Sequence, residues 1–316
     1  MNAVMIMCHK NIDQVLRLVH TCKSSETVVF LHIDKKYNLP KERLDEIARM
    51  DRIYLTDTRY SGVLDTRSLV DIAMEMVKKA KEVEKLLDIH FRYFLLLSGQ
   101  DYLIKPISYI NDALRSAYPE PLIDCTPHAP GNWISHKFHF CPLVYAMSPA
   151  TDGASGPLRI FLKVVRRLVA IAARVLRVTD FHRFQKQGIA LYGGSAWWIL
   201  PDVAMDYILS EYDAAPDYVT ALLNTNTPEE TFFQTMVMRS PVKDLVHINP
   251  PDMVAQHCKT WAYFSDVDKP FKGHPYIFTA AEYDRLISSD FWIARKFDSD
   301  VDSRILDMLD SAIKAD

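Results

Sequence analysis

Glycine is scarce in this chain: nine among 316 residues, against seventeen prolines. None forms a GxGxxG fingerprint or a P-loop, so the backbone cradles used for dinucleotides and for ATP phosphates are both excluded. A nucleotide bound here needs its diphosphate neutralised by side chains or by a metal. Cysteine is equally sparse. Cys8, Cys22, Cys125, Cys141 and Cys258 are odd in number, scattered and without CxxC spacing. They suit a reducing compartment better than a disulfide framework, and none has metal-ligand company nearby in sequence. No apolar run is long enough to cross a bilayer. The opening Ala3-Val4-Met5-Ile6-Met7 is too short for a signal peptide and lacks a basic leader, which leads to the expectation of a soluble, cytoplasmic protein. Neither sign of charge dominates: 37 Lys and Arg face 40 Asp and Glu, a formal net charge of −3. That balance gives no global pull towards nucleic acid or an anionic membrane. Low-complexity tracts and internal repeats are missing as well.

What remains is a chain that is 49% hydrophobic and long enough to bury a substantial core. Its first third alternates short apolar runs with helical patterns. Residues 4–8 read as a buried strand and 12–21 as a helix with Val15, Leu16, Leu18 and Val19 at core spacing. Residues 27–33 form a β-branched run ending in Asp34. A helix over 44–48, a strand over 52–56, a long helix over 68–87 and a strand over 91–98 follow. Strand, helix, strand, helix predicts a parallel sheet with helices on both faces. Such sheets bind ligands at the carboxyl ends of their strands. Residues 7–10, 34–36 and 98–101 are therefore expected along one edge.

The middle, from about 119 to 187, is the least regular part. His128, Trp133, His136 and His139 sit among prolines and glycines, which suggests loops over a cleft. His136 and His139 have no nearby acidic ligand and no third histidine at useful spacing, so they make a poor metal site. Residues 158–178 differ. Leu158, Phe161, Leu162, Val165, Leu168, Val169, Ala172, Val175 and Leu176 form a helical apolar stripe. Arg159, Lys163, Arg166, Arg167, Arg174 and Arg177 occupy the other faces, with no acid among them. Such a helix can lie on an anionic membrane surface; the favoured expectation is a core helix with a solvated cationic face.

The last third contains Leu191-Tyr192-Gly193-Gly194-Ser195-Ala196-Trp197-Trp198, a glycine-flexed turn running into an aromatic strand. One of the two tryptophans is expected in the core. A helix near 205–211, a helix over 227–238 and a strand near 245–248 follow. Thr227-Pro228-Glu229-Glu230 supports two readings. In one, Thr227 is the N-cap, Pro228 the first helical residue, and Glu230 reaches back to the Thr227 amide as a capping box. In the other, Glu230 is a general base at the mouth of a cleft. Asp298-Ser299-Asp300-Val301-Asp302 contains Asp-x-Asp twice but lacks the glycine and final glutamate of a calcium loop, and reads as structural.

Taken in order, several blocks resemble the core-2/I-branching β-1,6-N-acetylglucosaminyltransferase family, which includes the peptide O-xylosyltransferases. They are Met5-Ile6-Met7-Cys8-His9-Lys10, His32-Ile33-Asp34-Lys35-Lys36, Leu97-Ser98-Gly99-Gln100-Asp101, Gly194-Ser195-Ala196-Trp197-Trp198, residues 227–235, Trp261-x-Tyr263 and Ala294-Arg295-Lys296-Phe297-Asp298. The likeness spans nearly the whole chain, and order and spacing make it specific. The missing membrane anchor, stem and disulfides resemble a bacterial-type member.

That resemblance implies a GT-A-like α/β fold in one domain over 1–316. Residues 1–118 would form a Rossmann-like UDP-sugar-binding half, and 119–316 an acceptor-binding and catalytic half. The implied chemistry is inverting, metal-independent transfer of GlcNAc or xylose from a UDP-sugar to a hydroxyl of a glycan or lipid-linked glycan acceptor. Glu230 carries the base of the family's Pro-acid-Glu motif; Glu229 replaces the usual aspartate and is expected only to favour the helix dipole, so that Glu229→Gln costs some stability. Lys296, with Arg295 adjacent, matches the diphosphate-binding lysine. A second family cation falls by ungapped count on Gly273, so Lys272 or His274 takes its place. Asp34 and Met7 match donor contacts, and Trp261 and Tyr263 an acceptor-binding aromatic pair. Asp101 and Trp197 are placed at the acceptor side. No cofactor, no metal and no nucleic acid are expected, and peripheral contact with the inner membrane face would run through 158–178. Two rival readings stand beside this one: a metal-dependent sugar-nucleotide enzyme using Asp298 and Asp300, and a glycan-binding protein without turnover.

Overall fold

The computed structural model describes residues 1–129, 131–138, 143, 147, 155–250, 257–263 and 275–314. Its centre is a six-stranded sheet in the order β3-β2-β1-β4-β9-β6. These strands are β1 (Asn2–Cys8), β2 (Thr27–Ile33), β3 (Ile53–Leu55), β4 (Tyr93–Ser98), β6 (Leu122–Ile123) and β9 (Trp198–Pro201). The first four run parallel, whereas β9 is antiparallel to both β4 and β6. The protein is thus α/β: the strand–helix alternation predicts the parallel part, and antiparallel β9 makes the sheet mixed.

Side-chain alternation along the strands explains why both faces are covered. Ala3 and Met5 of β1, Val28 and Phe30 of β2, and Phe94 and Leu96 of β4 enter one core. Val4, Ile6, Val29, Leu31, Leu95 and Leu97 enter the other. Successive residues point to opposite faces, so an unbroken apolar run is the signature of a strand buried on both. The first core is closed by α3 (Ser68–Leu87), α7 (Asp202–Ala214), α8 (Asp217–Leu223) and α9 (Phe232–Val237). The second is closed by α1 (Ile12–Cys22), α2 (Lys41–Ala48), α4 (Ile107–Ala117) and α11 (Arg304–Lys314).

Three departures from the sequence reading bear on function. The expected 227–238 helix is broken: Pro228–Glu230 is a 3-10 turn, Thr231 leaves helical geometry at φ −134°, and α9 starts only at Phe232. The expected strand at 245–248 is a 3-10 turn over Lys243–Leu245 with one isolated bridge from Ile248 to Cys125. A second sheet, β10-β11-β5, was not anticipated; it joins β10 (Thr260–Ala262), β11 (Ile293–Arg295) and β5 (Asp101–Leu103). Its strands are too short to display a periodicity.

The order 3-2-1-4 makes the chain reverse direction across the sheet between β1 and β4. The crevice outside their carboxyl ends is where open α/β sheets bind ligands. Cys8-His9-Lys10 and Ser98-Gly99-Gln100 form its two lips, with Asp34 at the end of β2 beside them. Gly99 is required there, because a Cβ would stand 2.6 Å from the Val15 side chain and 3.5 Å from the Met7 carbonyl.

A short ribbon of β7 (Thr126–Pro127) and β8 (Tyr192–Gly193) leads into β9. Here Gly194 packs so tightly that a Cβ would lie 1.8 Å from the carbonyl oxygen of Asp124. Gly194→Ala must displace backbone and is expected to cost about 3 kcal/mol or more. Gly188→Ala, strained by φ +67° but facing open space, should cost only about 1–2 kcal/mol. Denaturant unfolding of the two variants checks the order; equal losses would show that the ribbon can relax around residue 194.

Candidate active site

Glu230 ends the 3-10 turn with its carboxylate about a third exposed. No capping box forms. Thr227 sits in the left-handed region at φ 52°, and its hydroxyl donates to the Asn226 carbonyl at 2.7 Å instead of accepting from the turn. A capping box does form elsewhere, between Thr279 and Glu282. The Glu230 carboxylate is bound by Lys137, whose Nζ also donates to the Thr227 hydroxyl at 2.8 Å. Lys137 stands on the 3-10 helix Trp133–Phe138, with its ammonium 5.4 Å from the Trp133 ring centre. The capping reading of Glu230 therefore fails for a non-local reason: a lysine ninety-three positions away claims the side chain.

The backbone of Glu230 is fixed from the other side. Its carbonyl accepts from the Gly194 amide at 2.9 Å, and a Cβ on Gly193 would come within 3.1 Å of it. Gln234 then donates to the Ser195 carbonyl at 2.6 Å. The glycine pair thus lets β8 lie directly against the turn. Three residues after Gly194, roughly 10 Å at full extension, comes Trp197. Its ring stacks under the Arg295 guanidinium at 4.1 Å. Trp198, one step on, is fully buried against Phe233 and is the core member of the pair.

Arg295 is buried, and its Nη1 lies 3.5 Å from Asp101 Oδ1, too far for a good hydrogen bond. Its Nε and Nη1 have no hydrogen-bond partner among the described residues. Burial lowers its pKa, and the Asp101 carboxylate opposes that shift. Asp101 faces it across the β11–β5 register, and its Oδ2 accepts from the Ser98 amide at 2.8 Å. Lys296 follows, half-buried; burial and then Arg295 push its pKa down. His9 is pushed down by burial first and by Lys10 next, with Lys296 and Lys36 adding and Asp34 opposing. Five basic side chains thus gather where β1 ends, and mutual repulsion favours an anion among them.

Asp34 is buried with both carboxylate oxygens engaged. Oδ1 accepts from the Lys36 amide at 2.7 Å and Oδ2 from the Gly62 amide at 2.8 Å. It anchors the 57–67 loop, which Arg59 also binds through the carbonyls of Ile33, Asp34 and Tyr37. Met7 is half-buried at the sheet edge, its carbonyl taken by Gly99. Trp261 and Tyr263 are not brought to this face. In the β10–β11–β5 rows Trp261 aligns with Ala294 and Tyr102, and Arg295 with Ala262 and Asp101. Alternation therefore sends Trp261 and Arg295 to opposite sides. Both aromatic rings pack on Phe278 and lie under the Arg285 guanidinium. Lys272, His274 and His139 lie outside the described residues.

The acidic run is occupied structurally. Asp298 binds Lys10 at 2.6 Å and the Asp300 amide at 3.2 Å, while Asp302 accepts from the amides of Ala280 and Arg304. Among the described residues no three His, Cys, Asp or Glu side chains converge as a metal site. A cavity of about 560 Å³ lies between α1, α4 and α11, away from these groups; its Arg17 and Arg43 are already paired with Asp307, Asp310 and Asp13.

Lys137 was not foreseen from the sequence. Its signal was the Trp133-x-x-x-Lys137 spacing, which stacks the two side chains on one side of a turn. Glu229 was foreseen as a dipole partner and is something else. It is buried, its Oε1 accepts from the Asp65 amide at 3.2 Å, and its Oε2 is unpartnered among the described residues.

This arrangement is that of a carboxylate and a buried arginine, with a half-buried lysine beside it, joined by one short segment at the ligand-binding edge of an α/β sheet. A sequence model of the Core-2/I-Branching enzyme family matches residues 3–287, and the chain belongs to that family. The matched span includes Glu230 and stops short of Arg295 and Lys296. Xylosyltransferase 1 of Rattus norvegicus is 23% identical over 317 residues, which cover 94% of this chain and 33% of that protein. Xylosyltransferase sqv-6 of Caenorhabditis briggsae is 21% identical over 303 residues, covering 93% and 34% respectively. Beta-1,3-galactosyl-O-glycosyl-glycoprotein beta-1,6-N-acetylglucosaminyltransferase 4 of Danio rerio is 20% identical over 330 residues, covering 99% and 69%. The chain spans about a third of the length of these two xylosyltransferases.

Burial raises Glu229 to about 7 from an ordinary 4.5, and Asp124 to about 6 from 3.8. A carboxyl that holds its proton more tightly when folded stabilises the fold fully below its unfolded pKa, and this contribution fades as pH rises through the folded value. Stability should therefore fall between about pH 4.5 and 7, with Glu229 contributing about 2–3 kcal/mol of the loss. Glu229→Gln should flatten that part of the profile and be more stable than the parent at pH 8, opposite to the loss expected of a dipole partner. Urea unfolding across this range checks it; an unchanged slope in Glu229→Gln would assign the pH dependence elsewhere.

Proposed function

We propose that this chain is a GT-A-type glycosyltransferase acting by a single inverting displacement, with a UDP-sugar as donor and a glycan hydroxyl as acceptor. The observation that carries the reading is the pairing of Glu230 with Arg295 and Lys296 through the Gly193–Trp197 segment. Inversion needs a base on one side of the anomeric carbon and stabilisation of the leaving group on the other. Glu230 takes the acceptor's proton as the hydroxyl oxygen bonds to that carbon. The bond from carbon to the β-phosphate oxygen breaks, and the electron pair leaves with UDP. Arg295 and Lys296 meet the developing diphosphate charge in a buried setting, where preorganised cations act most strongly. Arg295 Nε and Nη1, without a hydrogen-bond partner among the described residues, fit a phosphate oxygen.

Other side chains hold these groups in place. Lys137 and Thr227 fix the Glu230 carboxylate, and the ammonium is shared with the acceptor while the proton moves. Asp101 orients Arg295, and Asp34 anchors the 57–67 loop beside the uridine end of the crevice. In this division residues 1–118 hold the uridine end of the donor, and 119–316 supply the base, the diphosphate-binding cations and the acceptor face. The cations at the end of β1 replace a divalent metal. Xylose and GlcNAc are the proposed donor sugars, taken from the names of the relatives.

Turnover of UDP-GlcNAc and UDP-xylose, measured as UDP release, should persist in EDTA. Glu230→Gln should lower kcat about 10³-fold while UDP still binds by calorimetry. Lys296→Ala should lower kcat about 10²-fold and weaken UDP binding as well. Strict Mn²⁺ dependence would overturn the metal-free mechanism. An unchanged rate in Glu230→Gln would remove Glu230 as base.

A further inference from the structure

The helix α5 (Gly156–Val175) is where the structure most clearly reverses the favoured sequence reading. Its apolar side chains do not face the core. Ile160, Phe161, Val164, Leu168, Ile171 and Val175 are all exposed, Leu168 by 61% and Val175 by 77%. At 100° per residue they fall within an arc of about 100°, one continuous outward stripe. The inward side is slight, a satellite cluster of Ala170 and Ala173 with Val169 against it. Apolar Leu176 and Val178 prolong the exposed surface past the helix end.

Charge decides what such a stripe can meet. Residues 156–178 carry six cations and no acid. On the helical wheel Arg159, Lys163 and Arg167 line one border of the apolar stripe, the arrangement of a helix lying in the plane of a lipid interface. Soluble monomers rarely expose a contiguous apolar patch of this kind without a partner. A second copy of the chain fits poorly. A two-fold pairing through the stripe sets the same cationic border on both copies, and 156–178 holds no acid to receive it. Among the described residues no helix is long and apolar enough to cross a membrane, so contact through α5 would be peripheral.

We infer that the outward face of α5 docks this protein on an anionic lipid surface, the apolar stripe entering the acyl boundary and the bordering cations taking headgroup phosphates. The inference deepens the proposed function without depending on it. In the chain α5 lies between Lys137 and the Gly193–Gly194 ribbon, the two segments that hold Glu230. A lipid-linked acceptor would share that surface with the docked protein.

The test is co-sedimentation of the full chain with vesicles of phosphatidylcholine alone and of about three parts phosphatidylcholine to one part phosphatidylglycerol. Binding to the anionic vesicles is expected, at least about tenfold above that to the neutral ones and reduced in about 0.5 M salt. Leu168→Glu should lower partitioning about tenfold with an unchanged melting temperature, as an exposed position allows; Lys163→Glu/Arg167→Glu should abolish the preference for phosphatidylglycerol. No binding to anionic vesicles would overturn the inference. So would equal binding by Leu168→Glu, or a concentration-dependent dimer in light scattering that Leu168→Glu dissolves. UDP release from soluble donor, measured without vesicles, reports the catalytic site separately, so loss of docking and loss of the proposed reaction are distinguishable.

Discussion

The close approach of Gly194 to Asp124 is the constraint on which the site depends. With any side chain at 194 the backbone could not come near the Asp124 carbonyl, and β8 could not reach the turn that carries Glu230. That approach lets the Gly194 amide take the Glu230 carbonyl, which fixes one end of the segment running to Trp197. Trp197 in turn supports Arg295 from below. A steric allowance at one residue therefore sets the relation between a carboxylate and a cation from distant parts of the chain. Flexible loops alone would not hold such a relation, because each added rotatable residue would have to be ordered when substrate binds.

The second organising feature is the density of incompletely compensated charge. Arg295 and Asp101 are both buried, face each other across a strand pair, and meet at a distance that leaves polar atoms of both unsatisfied. An arrangement of this kind is costly in the free protein, because desolvation of each ion exceeds what an imperfect contact returns. The cost is reduced when an anion arrives. Lys296, Lys10 and Lys36 surround the same edge and disfavour the charged form of His9, as Arg295 and Lys10 do that of Lys296. Glu229 and Asp124 show the complementary effect on the acidic side, since burial holds both towards their neutral forms. The neutral form of Glu229 fits its position directly before Glu230, because a second full negative charge there would repel the carboxylate that Lys137 holds.

The central strands were legible from sequence because burial on both faces writes continuous β-branched and leucine runs, and the carboxyl-end rule then placed Met7, Asp34 and Asp101 along one edge. The second sheet was not legible. Its three-residue strands carry no period, and only their pairing reveals that Arg295 and Asp101 share a row while Trp261 points the other way. Thr227-Pro228-Glu229-Glu230 has every local mark of a capped helix start. It fails as one because Lys137 competes for both Thr227 and Glu230, and a contact of that span leaves no trace in a local pattern. The amphipathic period of 158–178 was read as helical, and the helix runs over Gly156–Val175. Periodicity shows that an apolar stripe exists and is silent on whether a core or another medium receives it.

These points bear on why Glu230 is paired with a lysine. A base clamped by an ammonium can act only if the incoming acceptor takes over part of that clamp. Lys137 is half-buried, reached through the Trp133–Phe138 turn, and lies in sequence just ahead of α5, whose apolar face turns outward. Ile134 and Phe138 of that turn are buried in the first core, and all of α9 beside Glu230 is buried as well, so the slight core packing belongs to α5 and not to the segments that hold the carboxylate. Local stability is lowest where buried contacts are fewest, so α5 is the element most readily adjusted by what binds it, while the segments holding Glu230 stay fixed.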